Sequence, residues 1–161
     1  MLRRWLRLRQ LSPLRIRCEV AEGDDLASVA VPVCHRLTRG DVVFLHGGIG
    51  AGKTTLVQAC ARALGVAGPV TSPTFALAHR YDGPVPVVHL DLYRLADQPT
   101  RDVGELIDAI DEGAIAFVEW PELGGSWLPP PAADVWIDVD DRGRRLFTVQ
   151  HNAADSPCGD G

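Results

Sequence analysis

The sequence predicts an α/β fold in which a central, mostly parallel sheet is flanked by helices and followed by a C-terminal β-hairpin. Short apolar segments bounded by turn residues recur along the chain, and such segments are typical of strands buried on both faces. They alternate with stretches whose apolar residues repeat at helical spacing. Two segments with alternating polarity near the carboxyl end predict the hairpin. With 161 residues, 46% of them hydrophobic, the chain is expected to form one domain.

The amino-terminal half is predicted to contain two strands and two helices. In chain order these are a strand at 15–20, a helix at 26–37, a strand at 42–46 and a helix at 53–64. Asp24 or Asp25 is expected to cap the first helix, and Pro32 to kink it. Gly65 is a favourable residue for ending the second helix. The strand at 42–46 is continuously apolar, which favours a buried position in a parallel sheet.

The carboxyl-terminal half is predicted to contain further strands, one helix and the hairpin. In chain order these are a loop with Pro73, a strand ending at Tyr81, a strand within 85–93, a helix at 102–113 ended by Gly113, a strand at 114–119, and two hairpin strands within 134–151. The first two strands are expected to be hairpin neighbours. Three consecutive prolines at 129–131 separate the last parallel strand from the hairpin, whose turn spans 140–143.

Charge and cysteine content narrow the class of protein. The net charge of −5 argues against a nucleic-acid binder held by general electrostatics. Six arginines precede the first acidic residue, Glu19, and we predict that residues 1–14 form a disordered extension. The domain is expected over 15–151, with a disordered tail over 152–161. The four cysteines form no C-x-x-C pair, so we assign them no disulfide or metal site.

The sequence contains no signal for membrane insertion. It has no apolar run long enough to span a bilayer, and its arginine-rich start lacks the apolar core of a secretory signal. We therefore predict a cytoplasmic protein without a membrane partner.

The segment FLHGGIGAGKTT carries the strongest functional signal. Gly47, Gly52, Lys53 and Thr54 fit the phosphate-binding loop pattern G-x-x-x-x-G-K-[ST], and the required strand before it and helix after it are both predicted. In such a loop, successive backbone N–H groups and the positive end of the helix dipole point at phosphate oxygens. The fold is therefore predicted to resemble that of P-loop NTPases.

Lys53 is the only lysine in the chain, which contains fifteen arginines. The group that reaches the β- and γ-phosphates must be a compact charge on a thin stem, and a flat guanidinium is wider and differently aimed. Thr54 is expected to ligate Mg²⁺, and Thr55 to contact the α-phosphate region. ATP is favoured over GTP because no N-K-x-D guanine-binding segment occurs.

Two acidic residues end predicted strands. Asp91 and Glu119 should meet Thr54 in one crevice, because ligands of open parallel sheets bind beyond the carboxyl ends of the strands. Asp91 suits magnesium, directly or through water, and Glu119 suits either magnesium or orientation of the attacking water. His89 precedes Asp91 on the same strand face, and we interpret it as a packed histidine rather than a metal ligand. Trp120 either lines the site or simply packs.

Four segments together resemble the TsaE (YjeE) family, the small bacterial ATPases of tRNA threonylcarbamoyladenosine synthesis. These are GGIGAGKTT, TSPTF, HLDLYRL and VEWPE, in this order and at this spacing. The resemblance implies a Mg²⁺-dependent ATPase that works with TsaD and TsaB, and with tRNA only indirectly, and that resets the complex for repeated modification.

The resemblance also implies roles for particular residues. The phosphates would be held by Ile49, Gly50, Ala51, Gly52, Lys53 and Thr54. Magnesium would be held by Thr54 and Glu119, and Asp91 would be needed for hydrolysis together with Lys53. Residues 71–75 and 91–95 would act as nucleotide-sensitive switches, and Gly143 and Arg144 would lie near the base or ribose. Two features depart from the family pattern: Gly48 stands where an acid is common, and the arginine-rich extension has no counterpart.

Two other functions remain open from the sequence. A small-molecule kinase can carry the same loop, although the residues after Glu119 offer mainly prolines and a hairpin instead of an arginine-bearing lid. A nucleotide-dependent assembly switch would need the loop but would leave the two strand-end acids without a role.

Overall fold

The structure, a computed structural model, describes residues 7–12, 14–71, 77–95, 103–111 and 113–152. Within these residues, one sheet contains eight strands in the order β1-β2-β8-β7-β3-β6-β5-β4. The strands are β1 (Arg7–Ser12), β2 (Arg15–Val20), β3 (Val42–His46), β4 (Ala78–Tyr81), β5 (Val87–Asp91), β6 (Ile115–Glu119), β7 (Ala133–Val139) and β8 (Arg145–His151). The helices are α1 (Ala27–Cys34), α2 (Lys53–Ala63) and α3 (Val103–Asp111). Short 3₁₀ turns span Leu92–Leu95, Pro121–Leu123 and Gly125–Trp127.

The predicted α/β class with a parallel centre is confirmed. Strands β7, β3, β6 and β5 are parallel neighbours, whereas β1, β2, β8 and β4 extend the sheet through antiparallel pairs. All five residues of β6 are buried, as expected for a strand covered on both faces. The predicted pairing of β4 with β5, and that of β7 with β8 in a C-terminal hairpin, are both present.

Helices cover both faces of this central sheet. On one face, α1 and α2 enclose a core with β2, β3, β6, β7 and β8, in which Phe117 and Phe147 are fully buried. On the other face, α3 covers a smaller core formed with β5 and β6, to which it contributes Leu106 and Ile110. Alternate residues of β6 therefore enter opposite cores. Because of this alternation, Glu119 lies on the face of the sheet that α2 covers. The phosphate-loop segment leads into α2 on the same face.

The prediction of a disordered extension is wrong for Arg7–Ser12. These residues form β1, which pairs with β2 in antiparallel register, Leu8 opposite Cys18 and Arg9 opposite Arg17. The pairing uses backbone groups, and charged residues are common on exposed edge strands, so arginine content did not exclude a strand. Residues 1–6 and 153–161, also predicted to be disordered, lie outside the described residues.

Other boundaries differ by a few residues. Helix α1 ends at Cys34 rather than at residue 37, and the Ala27 N–H donates to Asp25 Oδ1 over 3.1 Å. Helix α2 ends just before Gly65, whose φ of 89° is favourable only for glycine. Asn152, predicted to begin the tail, belongs to the fold because its side chain donates to Pro131 O and Asp134 Oδ2. Among the described residues, none of the helices is both long and apolar enough to cross a membrane.

Asp134 connects β7 to two other parts of the chain. Its Oδ1 accepts a hydrogen bond from His46 Nε2 at 2.7 Å, and its Oδ2 accepts one from Asn152 Nδ2 at 2.9 Å. Burial acts to raise the pKa of Asp134, but the hydrogen bonds from His46 and Asn152 outweigh it, and the pKa lies below the ordinary value. An acid with a depressed folded-state pKa stabilises the fold above its unfolded pKa of about 3.9.

When folding stability is plotted against pH, we expect the acid limb, in which stability falls at low pH, to be less steep for Asp134→Asn than for the wild type. The stabilisation from the Asp134 carboxylate is lost as the pH falls below about 4 and through the folded-state pKa, and the asparagine variant has no such loss. Thermal unfolding between about pH 2.5 and 7 measures the difference. Asp138→Asn is the matched control, since Asp138 is exposed on the same strand. An acid limb as steep in Asp134→Asn as in the wild type would contradict the expectation.

Candidate nucleotide-binding site

The phosphate-loop segment connects β3 directly to α2. Gly52 precedes α2 with φ 106°, and no side chain caps the helix. The first N–H groups of α2 are therefore available to an anion. A Cβ atom built on Gly47 would lie 3.0 Å from the carbonyl oxygen of Ile137, so glycine allows the loop to approach β7 closely. A Cβ atom built on Gly48 would instead lie in open space, so no close contact requires glycine at this position.

The Lys53 ammonium lies inside the loop. Its Nζ donates to Gly47 O over 2.7 Å and to Gly48 O over 2.8 Å, and the residue is 5% exposed. Burial lowers the pKa of Lys53, while the carboxylates of Glu119, Asp91 and Glu122 act in the opposite direction. These two hydrogen bonds hold the amine against carbonyl oxygens of the loop.

Trp120 covers this lysine. Its ring centroid lies 4.2 Å from Lys53 Nζ, a cation–π contact, and 5.0 Å from the ring centroid of Tyr93. Trp120 is the one non-glycine residue with positive φ (57°) in the described part of the chain. Such a conformation costs about 1–3 kcal/mol and is found mostly at functional sites. Of the two interpretations left open by the sequence, the structure favours a tryptophan that lines the site.

The two strand-end acids stand side by side on β5 and β6. Asp91 is paired with Glu119 in the parallel ladder. Thr54 Oγ1 donates to Glu119 Oε1 over 2.8 Å, and Glu119 is 4% exposed. The structure thus brings together the hydroxyl and the carboxylate assigned to magnesium. Hydroxyl and carboxylate oxygens are the ligands that Mg²⁺ prefers, so this pair fits the ion.

Asp91 is more accessible than Glu119 and has a different electrostatic environment. Burial raises the pKa of Asp91, and the negative charge of Glu119 adds to the increase. The N–H of Tyr93, which donates to Asp91 Oδ1 over 3.1 Å, opposes the shift, as do the neighbouring His89 and Arg94. A carboxylate with a raised pKa is a better proton acceptor.

His89 is buried as predicted, but it also touches the site. It is 0% exposed, and its Nε2 lies 2.7 Å from Glu119 Oε1. The sequence alone indicated only a packing role for His89. The feature that could have indicated a role in the site is the position of His89 two residues before Asp91, which places both side chains on the same face of the strand. The described residues contain no group of three or more His, Cys, Asp or Glu side chains arranged to hold a metal.

The two arginines that follow the hairpin turn have different surroundings. Arg144 donates to Glu19 over 2.8 Å and to Asp140 over 2.7 Å. Arg145 instead lies against the phosphate loop, since a Cβ on Gly52 would be 3.4 Å from Arg145 Cζ. Gly143 faces Glu22, whose Oε2 would lie 2.8 Å from a Cβ on Gly143. Contact of Gly143 or Arg144 with base or ribose stays a prediction.

The remaining predicted residues are placed as follows. Ile49 is 78% exposed at the tip of the loop, Ala51 is 3% exposed, and Thr55 is exposed on the first turn of α2. In the first predicted switch, Thr71 is bonded through its N–H to the Tyr81 hydroxyl, and residues 72–75 lie outside the described residues. The second switch, 91–95, forms the end of β5 and a 3₁₀ turn.

A family model described as "Threonylcarbamoyl adenosine biosynthesis protein TsaE" matches residues 20–147. The chain belongs to the TsaE family. Curated TsaE proteins of tRNA threonylcarbamoyladenosine biosynthesis resemble it over most of its length. The protein from Mycobacterium tuberculosis is 41% identical over 138 residues, which cover 80% of this chain and 77% of the relative. The Treponema pallidum protein is 34% identical over 135 residues, covering 83% and 99%, respectively.

A solved structure supports the same relationship. The crystal structure of YdiB from Bacillus subtilis aligns with a TM-score of 0.70 and 26% sequence identity, and the alignment covers 86% of each chain. The fold of this TsaE family member is therefore shared with an experimentally determined structure.

Proposed function

We propose that the protein is a Mg²⁺-dependent ATPase of tRNA threonylcarbamoyladenosine synthesis. It acts in the cytoplasm on ATP and resets a transferase complex of TsaD and TsaB for further rounds. One observation carries the ATPase proposal: Thr54 and Glu119 are joined by a 2.8 Å hydrogen bond at the end of a phosphate loop whose lysine is buried. Membership of the TsaE family supports the pathway.

Different residues of the site bind the triphosphate, hold the metal and orient the attacking water. Loop N–H groups and Lys53 bind the triphosphate, and Thr54 and Glu119 hold Mg²⁺, which neutralises phosphate charge when bound. Asp91, with its raised pKa, accepts a hydrogen bond from the attacking water and orients it. Trp120 packs over the Lys53 side and limits access of bulk water.

A reconstituted reaction tests the function. Purified protein is mixed with TsaB, TsaD, ATP, Mg²⁺, the threonylcarbamoyl donor and unmodified tRNA, and both phosphate release and modified adenosine are counted. We expect phosphate release to increase on adding the partners, and modification to stop after the first rounds when the protein is omitted. Sustained modification without the protein would overturn the proposed role. Formation of a phosphorylated metabolite would favour a kinase, and nucleotide binding without phosphate release would favour an assembly switch.

Arg145 is expected to contribute to nucleotide binding. Its guanidinium packs against Gly52, and a charge-assisted hydrogen bond to phosphate is worth about 1.5–3 kcal/mol. Arg145→Ala should therefore weaken ATP binding about tenfold or more, as measured by titration calorimetry. Arg144→Ala is the comparison variant, because the partners of Arg144 are Glu19 and Asp140, and it should lose less ATP affinity than Arg145→Ala. The reverse ranking of the two variants would favour Arg144 over Arg145 as the arginine that contacts the nucleotide.

A further inference from the structure

His89 shares one carboxylate oxygen with Thr54. The Nε2 atom lies 2.7 Å from Glu119 Oε1, and Thr54 Oγ1 donates to the same oxygen over 2.8 Å. An ionised carboxylate only accepts hydrogen bonds, so Nε2 must carry the ring proton in a neutral imidazole. The other ring nitrogen, Nδ1, is buried and has no hydrogen-bond partner among the described residues. This pattern fits a bare Nδ1 and a protonated Nε2.

The two donors occupy one side of the Glu119 carboxylate. Oε1 receives both hydrogen bonds, and none to Oε2 is found in the part of the chain that the structure describes. The carboxylate is therefore held in one orientation, with Oε2 left free of protein donors. A buried histidine with an unpartnered nitrogen is unfavourable in an apolar strand. Between Val88 and Leu90, an aliphatic residue would avoid this cost.

We propose that His89 is a positioning residue for the magnesium-binding carboxylate. Its Nε2–H fixes the rotation of Glu119, so that Oε1 remains on Thr54 and Oε2 remains available to the ion. Hydrogen bonds behind a metal-binding side chain orient it, and their removal typically reduces metal affinity about 10- to 100-fold. The inference rests on the proposed function, because it concerns the Mg²⁺ of the bound nucleotide.

Three substitutions separate positioning from packing. His89→Leu fills the space without a donor, and His89→Gln places an amide nitrogen near the position of Nε2, whereas the shorter asparagine does not reach it. We expect His89→Leu and His89→Asn to weaken Mg²⁺ binding by the ATP complex about 10- to 100-fold, with ATP affinity in EDTA unchanged. His89→Gln should restore most of the loss. His79→Leu is the matched control, since His79 stands opposite His89 on β4 and should leave Mg²⁺ binding unchanged.

Calorimetric titration of Mg²⁺ into protein saturated with ATP gives the affinities, and the unfolding midpoint of each variant reports its fold. Nitrogen NMR of the wild type provides an independent readout, in which His89 is expected to carry its proton on Nε2. Equal Mg²⁺ affinity in folded His89→Leu and wild type, or a proton on Nδ1, would overturn the positioning role alone. A wild type that takes up no ATP would overturn the proposed function together with this inference.

Discussion

Replacing Glu119 with glutamine is expected to reduce ATP hydrolysis about 100- to 1,000-fold while ATP binding stays within a few-fold of the wild type. Glutamine has the size of glutamate and can still accept from His89 and Thr54, but it removes the negative charge beside the metal site. Nucleotide binding depends mainly on the loop N–H groups and Lys53, which the substitution leaves in place. Glu119→Ala is expected to show the same separation of binding from hydrolysis.

Single-turnover phosphate release and equilibrium ATP titration measure the two effects separately. Glu122→Gln is the matched control, because Glu122 is exposed three residues further along the same segment and should hydrolyse ATP nearly as the wild type does. Equal hydrolysis in the wild type and both Glu119 variants would remove Glu119 from the mechanism. Loss of ATP binding in Glu119→Gln would instead assign the residue to ground-state binding.

The sequence predicted the parts of the site that depend on local order along the chain. The strand, the glycine loop and the helix from Val42 to Ala63 are contiguous, so their arrangement follows from the motif itself. The convergence of Asp91 and Glu119 follows from a general property of parallel sheets, whose strand ends meet at one edge. In both cases the prediction required no side-chain geometry.

Contacts set by the register of distant strands were not predictable in this way. His89 and Glu119 are 30 residues apart, and their hydrogen bond depends on the stagger of β5 against β6. The position of Arg145 beside Gly52 has a similar origin. Successive side chains of a strand point to opposite faces, so the residue that faces the loop depends on the register of the hairpin.

The strained backbone of Trp120 could not be predicted from the sequence either. Trp120 adopts positive φ although it is not glycine and precedes Pro121. Nothing in local propensity favours this conformation, which the surrounding site must stabilise. The cation–π contact with Lys53 and the tilted ring contact with Tyr93 provide such contacts. For Arg7–Ser12, the charge of the arginine-rich start suggested disorder, whereas the backbone of this segment pairs with β2.

Replacing Lys53 with alanine is expected to weaken ATP binding about 100-fold or more. Lys53 is 5% exposed, and charge-assisted hydrogen bonds to two phosphates are worth about 1.5–3 kcal/mol each. Lys53→Arg keeps the charge but should not restore binding, because a planar guanidinium does not fit between the Gly47 and Gly48 carbonyls and the Trp120 ring. Titration calorimetry with ATP and Mg²⁺ measures all three proteins.

Because Lys53 is the only lysine in the chain, its environment can also be followed by chemical modification of its amine. An acetylating reagent has one side-chain amine to modify, and mass spectrometry separates it from the α-amino group. We expect ATP with Mg²⁺ to slow acetylation of Lys53 at least about tenfold, because an amine engaged with phosphates stays protonated and is no longer nucleophilic. The α-amino group, modified in the same sample, is the internal control. Equal acetylation rates with and without saturating nucleotide would show that Lys53 does not contact the phosphates, even if ATP binds elsewhere.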